Sequence, residues 1–108
     1  MAADRAPALT VWDRWDDDGA VTVTVRGEID AGTAGAFWER LAAVAGASPR
    51  RLVIDLAGVD FLDSAGLHAF VRLRKALPGH CPVILRSPQP RARQVFELTG
   101  LGTAFEFE

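Results

Sequence analysis

The stretch that most constrains this chain is Leu52-Val53-Ile54-Asp55-Leu56. It is apolar at nearly every position rather than at every second one. That pattern belongs to a central strand covered on both faces, which is the usual setting of a parallel sheet. A short loop, Ala57 to Leu62, is expected next. Asp63-Ser64-Ala65-Gly66-Leu67 then opens a helix that runs from about Ser64 to Leu77 and stops before Pro78-Gly79. At about 100° per residue, Leu67, Phe70, Leu73 and Leu77 gather on one side of that helix. Ser64, His68, Arg72 and Lys75 gather on the opposite, solvated side.

The rest of the chain supplies further strands and helices. Thr10 to Trp15 mixes β-formers with charge and reads as an edge strand. Asp16-Asp17-Asp18-Gly19 is a turn. Val21, Val23 and Val25 alternate with Thr22, Thr24 and Arg26, the period-two pattern of a half-buried strand, so the two segments form a hairpin. Gly27-Glu28-Ile29-Asp30 is expected to break the second strand. Thr33 is placed as the N-cap of a helix through about Ala45, whose stripe is Phe37, Leu41 and Val44, widened by Trp38 and Ala45. Pro82 to Arg86 is another short strand. Ser87-Pro88 leads into a helix from about Pro90 to Leu98, with Val95 and Leu98 assigned to its inner side. Phe105 and Phe107 mark a last strand. The order β-β-α-β-α-β-α-β predicts an α/β fold with parallel neighbours and right-handed crossovers.

Bulk properties exclude several classes of function. A chain of 108 residues is one domain, placed at 9–108 behind a flexible stretch from Met1 to Ala8. A formal net charge of -2 leaves no basic footprint for nucleic acid. Cys81 is the only cysteine, so neither a disulfide framework nor a cysteine-rich metal site is expected within one chain. The N-terminal residues carry Asp4 and Arg5 and lack the apolar core of a secretory signal. No apolar run approaches the roughly 20 residues of a membrane span. A reducing, cytoplasmic compartment is the expectation, with no membrane insertion.

Chemistry concentrates at Ser64. A helix start is electropositive and accommodates phosphate. Asp63 is able to cap the helix through the Gly66 amide, which would leave the Ser64 hydroxyl without a structural duty. The residues alone leave two readings open, a helix cap and an acceptor of phosphate. A catalytic serine is disfavoured because Asp-Ser-Ala-Gly is not the Gly-x-Ser-x-Gly elbow, and nothing evident orients His68 as a base. Asp55 stands at a strand end, where a receiver domain accepts phosphate. The acidic pair and the lysine of that fold are missing, and local pairing is the simpler role. Asp55, Asp60 and Asp63 lack the spacing of a calcium loop. Gly100-Leu101-Gly102 reads as a turn. Cys81 reads as a partly buried structural thiol, and Trp12, Trp15 and Trp38 as packing, although an exposed Trp would suit an interface. No cofactor, metal or catalytic residue is expected.

Four blocks together carry a family resemblance. Gly27-Glu28-Ile29-Asp30, Leu52 to Leu56, Phe61-Leu62-Asp63-Ser64-Ala65-Gly66-Leu67, and Ser87-Pro88 through Phe96-Glu97-Leu98-Thr99-Gly100-Leu101 follow the order found in STAS domains. The chain resembles the stand-alone bacterial anti-sigma-factor antagonists over about Val11 to Phe107. The resemblance implies a mixed central sheet with helices packed mainly on one side. It implies a non-enzymatic protein that works by partner switching. The unphosphorylated form binds an anti-sigma factor, itself a serine kinase of the histidine-kinase-like ATPase fold, and phosphorylation ends the complex. A metal-dependent serine phosphatase reverses the mark. The acceptor maps onto Ser64, with Asp30 and Asp63 beside it. Partner contact is expected at Asp30, Asp63, Ser64, Ala65, Gly66, His68 and Arg72. Phosphate at Ser64 is expected to be compatible with folding, because free amides and the helix dipole favour it. Ala65 stands where some members have a second serine. The sequence ends at the last predicted strand, where many members add a helix. Two other STAS roles are weighed: an accessory subunit of a transporter or lipid-trafficking ATPase complex that is never phosphorylated, and a scaffold subunit of a stress-sensing assembly. The Asp-Ser-x-Gly-Leu element favours the antagonist.

Overall fold

The computed structural model describes residues 8–108. Its elements are β1 (Leu9–Trp15), β2 (Ala20–Ile29), α1 (Ala34–Gly46), β3 (Arg51–Leu62), α2 (Ser64–Ala76), β4 (Val83–Arg86), α3 (Pro90–Leu98), a 3-10 turn (Leu101–Thr103) and β5 (Glu106–Phe107). The five strands form one sheet in chain order, β1-β2-β3-β4-β5. The β1–β2 hairpin is antiparallel and every later pair is parallel. Each parallel step crosses through one helix and moves the same way along the sheet. Right-handed crossovers with a constant direction must place all their helices on one face. The expected β-β-α-β-α-β-α-β order and one-sided helical layer are therefore both present.

The core lies between that layer and the sheet. Val21, Val23, Val25, Leu52, Ile54 and Leu56 point from the sheet into it, and Phe37, Leu41, Phe70, Leu73 and Phe96 meet them from the helices. Phe70 is the hub. Its ring centroid lies 5.3 Å from that of Phe37, 5.1 Å from Phe96 and 6.2 Å from Phe105. Tilted and edge-on geometries of this kind are the favoured ones for aromatic pairs. The other face of the sheet carries no helix. Arg14, Thr22, Val53, Ile84 and Glu106 share one row of it by register. Glu108 accepts from Arg86 at 2.9 Å and pairs with Arg51 at 3.7 Å. These long polar side chains flank Val53 and Ile84, which are buried without a helix above them.

Several boundaries differ from expectation, each for a physical reason. β2 does not break at Gly27. The ladder shifts register between Gly27 and Glu28, and the strand continues to Ile29. Gly27 has φ +111°, and a Cβ there would stand 2.1 Å from the Ala8 carbonyl oxygen. Glycine is thus required by its positive φ and a close approach rather than by a strand end. Ala8, expected to be flexible, is tied by that carbonyl to the Glu28 amide at 2.9 Å. The other residues assigned to the flexible stretch, 1–7, lie outside the described residues. β3 runs on through the expected loop to Leu62. Leu98 faces water at 78% exposure, while Ala92 and Phe96 form the buried side of α3. The expected final strand is only two residues long. Thr33 occupies the N-cap position of α1, but its hydroxyl makes no capping bond to that helix.

Candidate functional site

The site forms where two chain segments meet at the carboxyl ends of β2 and β3. After β2 the chain turns through Asp30 to Thr33. The Asp30 carboxylate accepts from the Gly32 amide at 2.9 Å and the Thr33 amide at 3.1 Å. The Thr33 hydroxyl donates to the Glu28 carbonyl at 2.8 Å and accepts from the Asp30 amide at 2.9 Å. An aspartate folded onto its own loop in this way fixes the turn. Beside it, α2 begins. The Asp63 amide donates to the Ile29 carbonyl at 3.2 Å, which binds the start of α2 to the end of β2.

Asp63 is the N-cap of α2. Its carboxylate accepts from the Ala65 amide at 2.9 Å and the Gly66 amide at 3.1 Å. The cap is therefore satisfied without Ser64. Ser64 is the first residue of α2 and is exposed, and its hydroxyl enters no hydrogen bond among the described residues. Free amides were expected at this helix start. The Ala65 and Gly66 amides are not free for a phosphate, because Asp63 already holds them.

Gly66 is buried. A Cβ at that position would lie 2.6 Å from the Ile29 carbonyl oxygen, 2.6 Å from Leu62 Cδ1 and 2.7 Å from Ile29 Cγ2. Its φ lies outside the left-handed region, so space rather than backbone freedom demands glycine. Expected among the contacting residues, Gly66 instead lets α2 seat against β2 and offers no surface of its own. Ala65 and Asp63 are half-buried.

The exposed side of α2 is as its periodicity predicts: Ser64, His68, Arg72 and Lys75 all face solvent. Ala65, His68 and Arg72 line one wall of a shallow groove of about 190 Å³, and Ala34, Gly35 and Trp38 of α1 line the other. The Arg72 guanidinium lies 4.2 Å from the centroid of the Trp38 ring. Trp38 packs against the core, as expected. It is half-buried and also holds Arg72 in place, a contact between distant segments that no local pattern announces. Asp30 shares the α2 edge with these residues, but its carboxylate is turned into its own loop.

The remaining candidates sit apart. Asp55 accepts from the Ala57 amide at 3.0 Å, the local pairing expected of it. Among the described residues, no group of three metal-ligating side chains comes together, and no helix is long and apolar enough to cross a membrane. Cys81 is buried, with its Sγ 3.4 Å from the Pro49 carbonyl oxygen. Gly100 takes φ +77° in a turn, as expected. Trp12 and Trp15 are substantially exposed rather than packed, the arrangement that suits an interface.

Comparison with known proteins decides the family. The STAS domain model matches residues 15–108. This chain belongs to the STAS domain family. The anti-sigma-B factor antagonist of Listeria monocytogenes is 34% identical over 93 residues, which are 85% of this STAS chain and 82% of that protein. The anti-sigma-F factor antagonist RsfB of Mycobacterium tuberculosis is 44% identical over 67 residues, covering 62% of this chain. The STAS chain spans about half of RsfB, 52% of its length. A crystal structure of an anti-sigma factor antagonist from Mycobacterium paratuberculosis superposes with a TM-score of 0.85 at 37% identity. The match covers 94% of this chain and 87% of that one.

Proposed function

We propose that this STAS domain is an anti-sigma factor antagonist that acts by partner switching, with Ser64 as the switch. One observation carries the reading: the Ser64 hydroxyl is exposed on the first turn of α2 while the neighbouring Asp63 does all the capping. The hydroxyl is therefore free to be modified without unpicking the helix. Relatives named as anti-sigma factor antagonists support the same reading over an accessory subunit of a transporter. The partner is an anti-sigma factor that doubles as a serine kinase of the histidine-kinase-like ATPase fold. A serine phosphatase restores the free hydroxyl. The protein itself contributes binding, not catalysis.

Charge at the α2 face works the switch. Unmodified, the α2 face offers Ser64, Ala65, His68 and Arg72 to the partner, with Asp63 at its margin. The kinase transfers the γ-phosphoryl of ATP to Ser64 Oγ; the bond to the β-phosphate breaks, and ADP and the hydroxyl proton leave. Phosphorylation adds roughly -1.5 to -2 charges and three acceptor oxygens. Asp63 already occupies the Ala65 and Gly66 amides, and the new dianion on the exposed Ser64 must be desolvated in the interface. A like-charge pair at about 4 Å costs about 4 kcal/mol at an effective dielectric near 20. Half of that weakens binding by more than about tenfold.

The test is incubation with the cognate anti-sigma kinase and Mg-ATP, followed by intact-mass measurement and a binding assay. The wild-type chain gains one phosphoryl group and loses the complex. Ser64→Ala gains none and still binds. Phosphate incorporation that persists in Ser64→Ala would overturn the assignment.

A further inference from the structure

β3 outlasts β4. On its β2 side, β3 is paired as far as Leu62. On its other side, pairing with β4 spans only Leu52 to Asp55. From Ala57 to Leu62 no strand of the described residues lies along that second edge. One carbonyl there, that of Ala57, accepts from Gln89 Nε2 at 3.0 Å, which pins the loop before α3 to the strand. Between this edge and α3 lies a groove of about 300 Å³, lined by Val59, Phe61 and Leu62 on one side and by Ala92, Val95 and Arg91 on the other. Phe61 is 46% exposed, which is unusual for so large an apolar side chain.

We propose that this groove is a docking slot for a short extended segment of a partner protein, one carrying an apolar side chain next to a carboxylate. An unpaired strand edge offers main-chain donors and acceptors that an added strand satisfies, while flanking pockets select its side chains. The volume lies at the lower limit of small-ligand pockets, so it suits two or three residues rather than a large cofactor. Charge sets the polarity. Arg91 on α3 forms no ion pair among the described residues, whereas Arg93 is held by Glu97 at 3.1 Å. Asp60 on the strand side is exposed and rejects a second carboxylate there. Phe61 and Leu62 lead directly into Asp63 and Ser64, so the slot is continuous with the α2 face. The identity of the partner as the anti-sigma factor rests on the function proposed above; the slot itself does not.

The probe is the capped peptide Thr-Val-Leu-Glu-Thr, titrated into the full ¹⁵N-labelled chain and followed by amide chemical shifts. Saturable shifts are expected at 57–62 and 91–95. Arg91→Glu should weaken binding by about tenfold, the effect of one lost charge pair. That substitution places an acid in the first turn of α3, where the dipole favours it, so folding is not at risk. The peptide with lysine in place of glutamate should bind the Arg91→Glu chain better than the wild type. The titration uses the unphosphorylated chain with neither kinase nor ATP present, so failure of the phosphorylation reading and failure of the slot are separable. Absence of saturation at millimolar peptide, shifts centred elsewhere, or the same shifts arising from self-association without peptide would overturn the proposal.

Discussion

Asp63 and Gly66 do different work three residues apart. Asp63 satisfies two amides of α2, so Asp63→Ala should cost about 1 kcal/mol, the usual loss on removing an N-cap. Chemical denaturation of the two chains measures it. Gly66→Ala is the harsher change. Its methyl would meet the Ile29 carbonyl and two core side chains at less than 3.0 Å. Overpacking of that kind costs typically 1–3 kcal/mol. The same methyl pushes the start of α2 away from β2, so partner binding should fall in Gly66→Ala as well. Ser64→Asp, in contrast, adds charge to an exposed position. It should lower partner affinity more than about tenfold and leave the thermal midpoint nearly unchanged, a contrast read by calorimetry on the same sample. An unaltered affinity would argue against the charge mechanism.

The elements hold the α2 face through contacts between α1 and α2. Arg72 lies over Trp38, an arrangement worth about 0.5–1 kcal/mol at an exposed site. Arg72→Ala should therefore destabilise only slightly, yet change Trp38 emission, since the cation leaves its ring. The face itself was legible in the sequence because it follows the helical period: Ser64, His68, Arg72 and Lys75 needed only spacing. The Asp63 cap was legible because it is a contact within three residues. β3 was not. Its residues in the main core run Leu52, Ile54, Leu56 at spacing two, then Val59 and Leu62 at spacing three. The β2–β3 ladder shows why: Thr24 pairs with Asp55 but Arg26 with Gly58, and Gly27 with Val59 but Glu28 with Phe61. Two bulges each add one residue to β3, which destroys the alternation that marks a strand. The Arg72–Trp38 and Gly66–Ile29 contacts were hidden for another reason. They join segments whose proximity is set by sheet register and not by anything local.

The whole molecule is two-sided, with helices and core on one face of the sheet and a polar field on the other. Stability rests on the helical side, where Phe70 touches Phe37, Phe96 and Phe105. Phe70→Ala should cost about 3–5 kcal/mol out of the roughly 5–15 kcal/mol of a typical domain. Urea unfolding would show it as a lower midpoint. The buried Cys81 has a practical consequence for work on the intact protein. With the chain's one native thiol secluded against Pro49, a cysteine introduced at Arg14, on the helix-free face, becomes the single group a maleimide dye can reach. A fluorophore seated there reports association in real time from the far side of the sheet, leaving Ser64 untouched.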